Sequence, residues 1–260
     1  MVHRKVEQVK KSKALHRFLH MGGWSLSVLA DIVFPPRCLI CDRYEADTLC
    51  EVCRSGFVPV ARPFCERCGH PNGAVCPCGS TFPRFGWHCD AARAVFRYDG
   101  PIATAIRRFK YSRVEMLGEP LGRLLAESLE KDSLFTAEQR ERFDLIVPIP
   151  LHTGRLRERG FNQAERLAGP VADRLRRPLL NRALVRVRAT GHQARLSGPE
   201  RQANMDHDVF RTERPVSVVG KGILLIDDVL TTGATINAAA RALKEAGASG
   251  VYALTLAIGV

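Results

Sequence analysis

From Arg93 onward the chain alternates between short, mainly apolar runs and longer stretches whose apolar residues return every three or four positions. The short runs predict strands at Ala94–Tyr98, within Asp144–His152, at Ile223–Ile226 and at Val251–Ile258. A strand covered on both faces loses its in-and-out alternation, and such continuous apolar runs mark parallel sheets. The longer stretches predict helices at Ile102–Tyr111, Leu117–Lys131, Asn162–Leu175 and Ile236–Ala246, the last stopped by Gly247. Strands and helices that take turns in this way predict an α/β fold, a parallel sheet flanked by helices.

Before Arg93 the pattern changes. Leu15, Phe18, Leu19, Gly22, Leu26, Leu29 and Val33 fall on one helical face, which predicts an amphipathic helix over a basic start carrying Arg4, Lys5, Lys10, Lys11, Lys13 and Arg17. The apolar stretch Trp24–Phe34 is interrupted by Asp31, ended by Pro35-Pro36 and followed by no small-residue cleavage site, so it does not read as an export signal. It is also too short to span a bilayer, and no transmembrane segment is expected. Attachment to a membrane surface through the basic end is the sharper alternative to docking on the protein itself. The expected organisation is a basic extension and helix over 1–34, a cysteine-rich module over 35–90 and an α/β domain over 91–260. A chain of 260 residues with 45% hydrophobic content can bury a core for such a domain.

Eight of the nine cysteines lie between Cys38 and Cys78. Cys38-x2-Cys41 and Cys50-x2-Cys53 are two thiolate hairpins spaced to converge on one tetrahedral Zn²⁺. Cys65-x2-Cys68 and Cys76-Pro77-Cys78 form a second set, whose closing pair is CxC where CxxC is usual. The altered bite leaves Cys89 or His70 as alternatives for the fourth ligand. Disulfides would belong to a secreted domain, and the CxxC spacings with no clear export signal favour a cytoplasmic protein holding two structural zinc ions. Few large apolar residues lie between Pro35 and Asp90, so metal would contribute much of the module's folding free energy.

The chemistry of the second half centres on Ile223–Thr235, ILLIDDVLTTGAT. Asp227 and Asp228 follow the apolar run and so stand at the carboxyl end of a strand, where open α/β sheets bind ligands. Thr231, Thr232, Gly233, Ala234 and Thr235 then offer backbone N–H groups and hydroxyls at a helix N-terminus, a nest for one phosphate. Two carboxylates repel a polyphosphate laid over them but accept hydrogen bonds from ribose hydroxyls. The pattern therefore predicts a sugar phosphate, and the GxxxxGK[ST] string of a nucleoside-triphosphate loop is missing.

This segment resembles the phosphoribosyl-diphosphate (PRPP) signature of type I phosphoribosyltransferases at every position. The resemblance implies that Asp227 and Asp228 hold the ribose 2′ and 3′ hydroxyls while Thr231 to Thr235 cradle the 5′-phosphate. After Asp144–His152 comes a basic turn with Arg155, Arg157 and Arg159, whose guanidinium forks suit the diphosphate. With PIPLHTGRLRERGFNQAERLA and QARLSGPERQANMDHDVF, the chain is similar to the ComF family, in which a double zinc ribbon precedes a type I phosphoribosyltransferase-like domain. That likeness implies PRPP with Mg²⁺ as ligand and a role in DNA uptake. It also implies a mobile hood over Arg186–Phe210, with Gln193, Arg201 and Asn204 as ligand contacts and Lys110 and Tyr111 as further candidates.

Charge widens the list of partners. The net +12 is concentrated in Leu151–Arg214, where fourteen arginines and no lysine face seven acids. Such a surplus suits an anion larger than one sugar phosphate, and single-stranded DNA is the expected candidate, with DNA-uptake proteins beside it. Only Phe161 and Phe210 offer aromatic faces there, few for base stacking. Three functions are expected to compete: a PRPP-binding protein, an active Mg²⁺-dependent transferase acting on a nitrogen acceptor, and a structural adaptor.

Overall fold

The computed structural model describes residues 36–71, 76–80, 86–111, 114–130, 134–187, 209–213 and 215–259. The predicted N-terminal helix and most of the predicted hood, including Gln193, Arg201 and Asn204, lie outside them. The chain forms two compact units, Met1–Cys50 and Glu51–Val260.

In the first unit, Arg37 and Tyr44 bridge in antiparallel fashion across a turn at Asp42, and Cys38, Ile40 and Cys50 are buried. The second unit is built on a parallel sheet of β1 (Ala91–Arg97), β2 (Leu145–Pro148), β5 (Gly222–Leu230) and β6 (Gly250–Ile258), in the order β1-β6-β5-β2. Two more strands, β3 (Leu184–Arg186) and β4 (Phe210–Thr212), pair antiparallel as a separate ribbon that the sequence pattern does not reveal. Each has three residues, too few for any period to register.

Helices α1 (Gly100–Tyr111), α2 (Gly118–Ser128), α5 (Gln163–Leu175) and α6 (Ala234–Glu245) match the four predicted ones, with ends shifted by at most three residues. Among the described residues past Arg93, two short α-helices were not expected. One is α3 (Ala137–Glu141), opened by a capping box of Thr136 and Gln139. The other is α4 (Thr153–Arg159), where the sequence suggests a turn. The His152 ring accepts a hydrogen bond from the Gly154 N–H and Gly160 closes the helix in the left-handed region, so caps at both ends support its seven residues.

Odd-numbered residues of β5, Ile223 and Leu225, pack with Ile236, Ala239, Ala240 and Leu243 of α6 and with Leu184 and Phe210 of the small ribbon. Cys68, Trp87 and Cys89 join the same core, so the second cysteine set is packed into the α/β unit. Helices α2 and α5 pack closely elsewhere in the unit. A β-carbon on Gly122 would lie 2.9 Å from the Leu167 carbonyl oxygen, so only glycine permits that approach.

Both outer edges of the sheet are occupied. The Val60 N–H donates to Val95 O, the Arg97 N–H to Val58 O and the Ala92 N–H to Arg67 O along β1. On β2, the Ile146 N–H donates to Pro178 O and its carbonyl accepts from the Leu180 N–H. Arg93 anchors the β1 side from within. Its guanidinium is buried, donates to the Leu134, Ala92 and Glu66 carbonyls and meets the Glu66 carboxylate at 2.6 Å.

Candidate functional site

Strand β5 outruns β2. The last pair on that side is Pro148 with Ile226, but pairing with β6 continues to Leu230 opposite Ile258. The sequence places a strand end at Ile226, and the structure shows that end on one flank only. Asp227 and Asp228 thus remain in extended backbone, which turns successive side chains to opposite faces. Asp228 is buried and meets Lys110 of α1, Oδ1 to Nζ 2.6 Å. Asp227 feels the same Lys110 and, more weakly, Arg186 of β3. Its Oδ1 accepts the Asp228 N–H at 2.8 Å. Burial and then the Asp228 charge push the Asp227 carboxyl up to about 7, against the pull of Lys110 and Arg186.

The turn begins three residues past the acids. Thr231 and Thr232 are exposed, Gly233 is buried with φ 79°, and α6 starts at Ala234, two residues earlier than expected. The Thr232 hydroxyl accepts from the Ala234 N–H at 3.4 Å, while Gly233, as N-cap, brings no side chain to the helix end. A β-carbon on Gly233 would lie 2.6 Å from the Trp87 ring, so this position is glycine both by dihedral and by space. Behind the turn, His70 Nε2 lies 2.7 Å from Thr231 O. Asn237 of α6 accepts the His88 N–H at 2.6 Å and donates to Gly86 O at 3.1 Å.

The three arginines of α4 do not act as a set. Arg155 and Arg157 are exposed, whereas Arg159 is buried, donates to Gln163 Oε1 at 2.9 Å and lies 5.3 Å from the centre of the Tyr111 ring. Helical spacing alone does not explain the division, since i and i+4 share a face; the contacts of Arg159 with Gln163 and Tyr111 do. Lys110 is drawn into the acid pair, and Tyr111 keeps its ring outward, 70% exposed. Arg186, which no sequence signal singled out as a site residue, stacks on Phe210 at 5.4 Å. Burial, and next the Arg155 charge, weigh against its own charge, while Asp227 favours it.

The eight predicted ligands form two groups, Cys38, Cys41, Cys50, Cys53 and Cys65, Cys68, Cys76, Cys78, in each of which the sulfurs lie within 4.8 Å of one another. Cys41 to Cys50 and Cys65 to Cys78 are both 3.7 Å apart. A tetrahedron of Zn–S bonds of about 2.3 Å has edges of about 3.8 Å, which these pairs match; Cys76 and Cys78 stand closer, at 2.9 Å, but both groups remain four-thiol sets of the kind that holds structural zinc. Burial pushes the Cys38 thiol up, but the backbone N–H groups of Cys50, Cys41 and Ile40 outweigh it and hold the thiol down to about 6. For the fourth position of the second set, the structure groups Cys78 with Cys65, Cys68 and Cys76. Cys89 is instead buried, with its thiol against Ala91 O and Val251 O, and His70 is turned to Thr231.

A double zinc ribbon domain matches residues 29–85, and a phosphoribosyl transferase domain matches residues 162–258. The chain is 33% identical over 205 residues to the DNA utilization protein YhgH of Escherichia coli (strain K12), covering 78% of this chain and 87% of that protein. It is 30% identical over 204 residues to Competence protein F of Haemophilus influenzae (73% and 83%), and 30% over 240 residues to Competence protein ComFC of Bacillus subtilis (84% and 93%). Among solved structures, the B. subtilis glutamine PRPP amidotransferase complexed with ADP and GMP aligns with a TM-score of 0.40 at 20% identity, over 58% of this chain and 30% of that one. A parallel sheet of phosphoribosyltransferase type, joined to zinc-ribbon cysteines, defines the class. The chain belongs to the ComF family of competence-type proteins.

Proposed function

We propose that this protein binds PRPP, or a closely related ribose 5-phosphate ligand, at the carboxyl edge of β5, in the cytoplasm and in the service of DNA uptake. One observation carries the reading. A single strand-turn-helix joins two adjacent acids, one of them buried, to an exposed hydroxyl turn at a helix N-terminus. Asp227 and Asp228 accept the ribose hydroxyls, Thr231 to Thr235 receive the 5′-phosphate, and Arg155 and Arg157 face the diphosphate. Mg²⁺ bound with the ligand would neutralise diphosphate oxygens. Titration calorimetry with Mg²⁺-PRPP tests this: wild type binds, and Asp228→Asn weakens binding at least tenfold. No heat with wild type would overturn it.

Asp227 supports a second reading, transfer of the ribosyl group to an amine. A carboxyl pushed up to about 7 is matched to taking a proton near neutral pH. The nitrogen forms a bond to C1′ as the C1′–O bond breaks, diphosphate leaves with the electron pair, and the amine proton passes to Asp227. Diphosphate release with candidate amines would establish turnover. Binding without release would leave a sensor.

For DNA, the names of the relatives and the exposed Arg176, Arg177 and Arg182 beyond α5 support a single-stranded partner. Affinity for an oligonucleotide should fall steeply with salt, and less steeply when these three become glutamine.

A further inference from the structure

We propose that the second cysteine knuckle is a working wall of the ligand site, with His70 as the positioning residue that ties metal occupancy to the shape of the turn at Thr231–Gly233. The proposal stands on contacts inside one compact unit and only its affinity readout rests on the function proposed above.

His70 follows Cys68 by two positions and is buried, 6% exposed. It is the residue best placed to be mistaken for a ligand, yet the four neighbouring sulfurs form a set of four without it. Its ring turns instead to the end of β5, where Nε2 meets Thr231 O at 2.7 Å. A carbonyl oxygen only accepts, so Nε2 carries the proton and donates. The backbone of His70 is itself fixed by the knuckle, because its carbonyl accepts the Cys65 N–H at 2.8 Å and the Gly69 N–H donates to Cys65 O at 2.8 Å. Cys65 thus holds the histidine by backbone while its sulfur belongs to the metal set.

Two further contacts run the same way. The Trp87 ring covers Gly233, and the His88 N–H and Gly86 O grip Asn237 one turn into α6. A helix N-terminus binds an anion only if its free N–H groups converge, and here three contacts from the cysteine-rich segment set that convergence. Releasing the metal frees Cys65 and Cys68 to separate. The His70 donor then leaves Thr231, and the turn samples conformations that do not converge.

The test uses the full chain with His70→Ala, His70→Gln and Cys76→Ser, and reads zinc content, amide hydrogen exchange of the peptide covering 231–237, and affinity for Mg²⁺-PRPP. His70→Ala should keep two zinc ions per chain, speed exchange in 231–237 about three- to tenfold, as loss of one hydrogen bond allows, and leave exchange in α5 unchanged. His70→Gln, whose amide also donates, should recover most of the protection. Cys76→Ser should lose one zinc and show at least the exchange of His70→Ala. Loss of zinc in His70→Ala, or unchanged exchange at 231–237, overturns the proposal, even if Cys76→Ser fails to fold. Should wild type not bind PRPP, the exchange result still decides the coupling, so failure of the ligand assignment and failure of this inference are separable.

Discussion

Lys110 Nζ and Asp228 Oδ1 lie 2.6 Å apart across the carboxyl edge of the sheet, with side chains only 19% and 10% exposed. The last turn of α1 therefore neutralises the deeper of the two acids. A ligand that donates hydrogen bonds to Asp228 must share it with Lys110, whose ammonium has donors to spare for a phosphate oxygen.

Removing the cation alone should be costly. Lys110→Met strands a buried carboxylate, and we expect a loss of about 3 kcal/mol at neutral pH, read from chemical denaturation. The double variant with Asp228→Asn should regain most of it, because the stranded charge is gone. Equal stability of Lys110→Met and wild type would show a solvated, idle pair.

Asp227 should leave a signature in pH. Its carboxyl is raised from 3.8 to about 7, so the folded state holds a proton that the unfolded chain has already released. That contribution is full below the unfolded value and is lost as pH rises through the folded one. Stability should therefore decline between pH 4 and 7, and Asp227→Asn should flatten that decline. A decline unaltered in the variant would assign it to other groups.

The thiols should sort into two classes. With metal removed by a chelator, the eight clustered cysteines become open to alkylation, whereas Cys89, fully buried and pushed far above its ordinary value by that burial, should stay unlabelled in folded protein. Mass spectrometry of labelled peptides reads this directly. Wild type should release two zinc ions, and early labelling of Cys89 would show that the core around it opens.

Two glycines should fail for different reasons. Gly122→Ala drives a methyl into the Leu167 carbonyl and should cost about 1 to 3 kcal/mol of stability. Gly233→Ala meets Trp87 at a φ of 79°, and should also shift tryptophan fluorescence and weaken the phosphate turn. Gly233→Ala with unperturbed fluorescence and affinity would mean that Trp87 does not shape the turn.

Most of the sheet and its four long helices were legible because burial on both faces leaves strands apolar and burial on one face leaves helices periodic. The acid pair and turn were legible as local chemistry. What stayed hidden was set by distant contacts. Asp227 and Asp228 remain in the strand because β6 is longer than β2, and no local pattern in Ile223–Leu230 records its neighbour's length. Arg159 looks like its neighbours Arg155 and Arg157, and only packing against Tyr111 and Gln163 turns it inward. Arg186 enters through a three-residue strand. The contact of His70 with Thr231 joins segments that composition treats as separate modules.

The lateral hydrogen bonds that residues 58–67 make to β1 and residues 178–180 make to β2 cover both outer edges of the four-stranded sheet. Another chain, or a second copy of this one, that extended the sheet would first have to displace these segments. Basic side chains, metal knuckles and turns are then the readier handles for an assembly, which makes surface-charge substitutions, rather than backbone edits, the way to separate partnerships from fold.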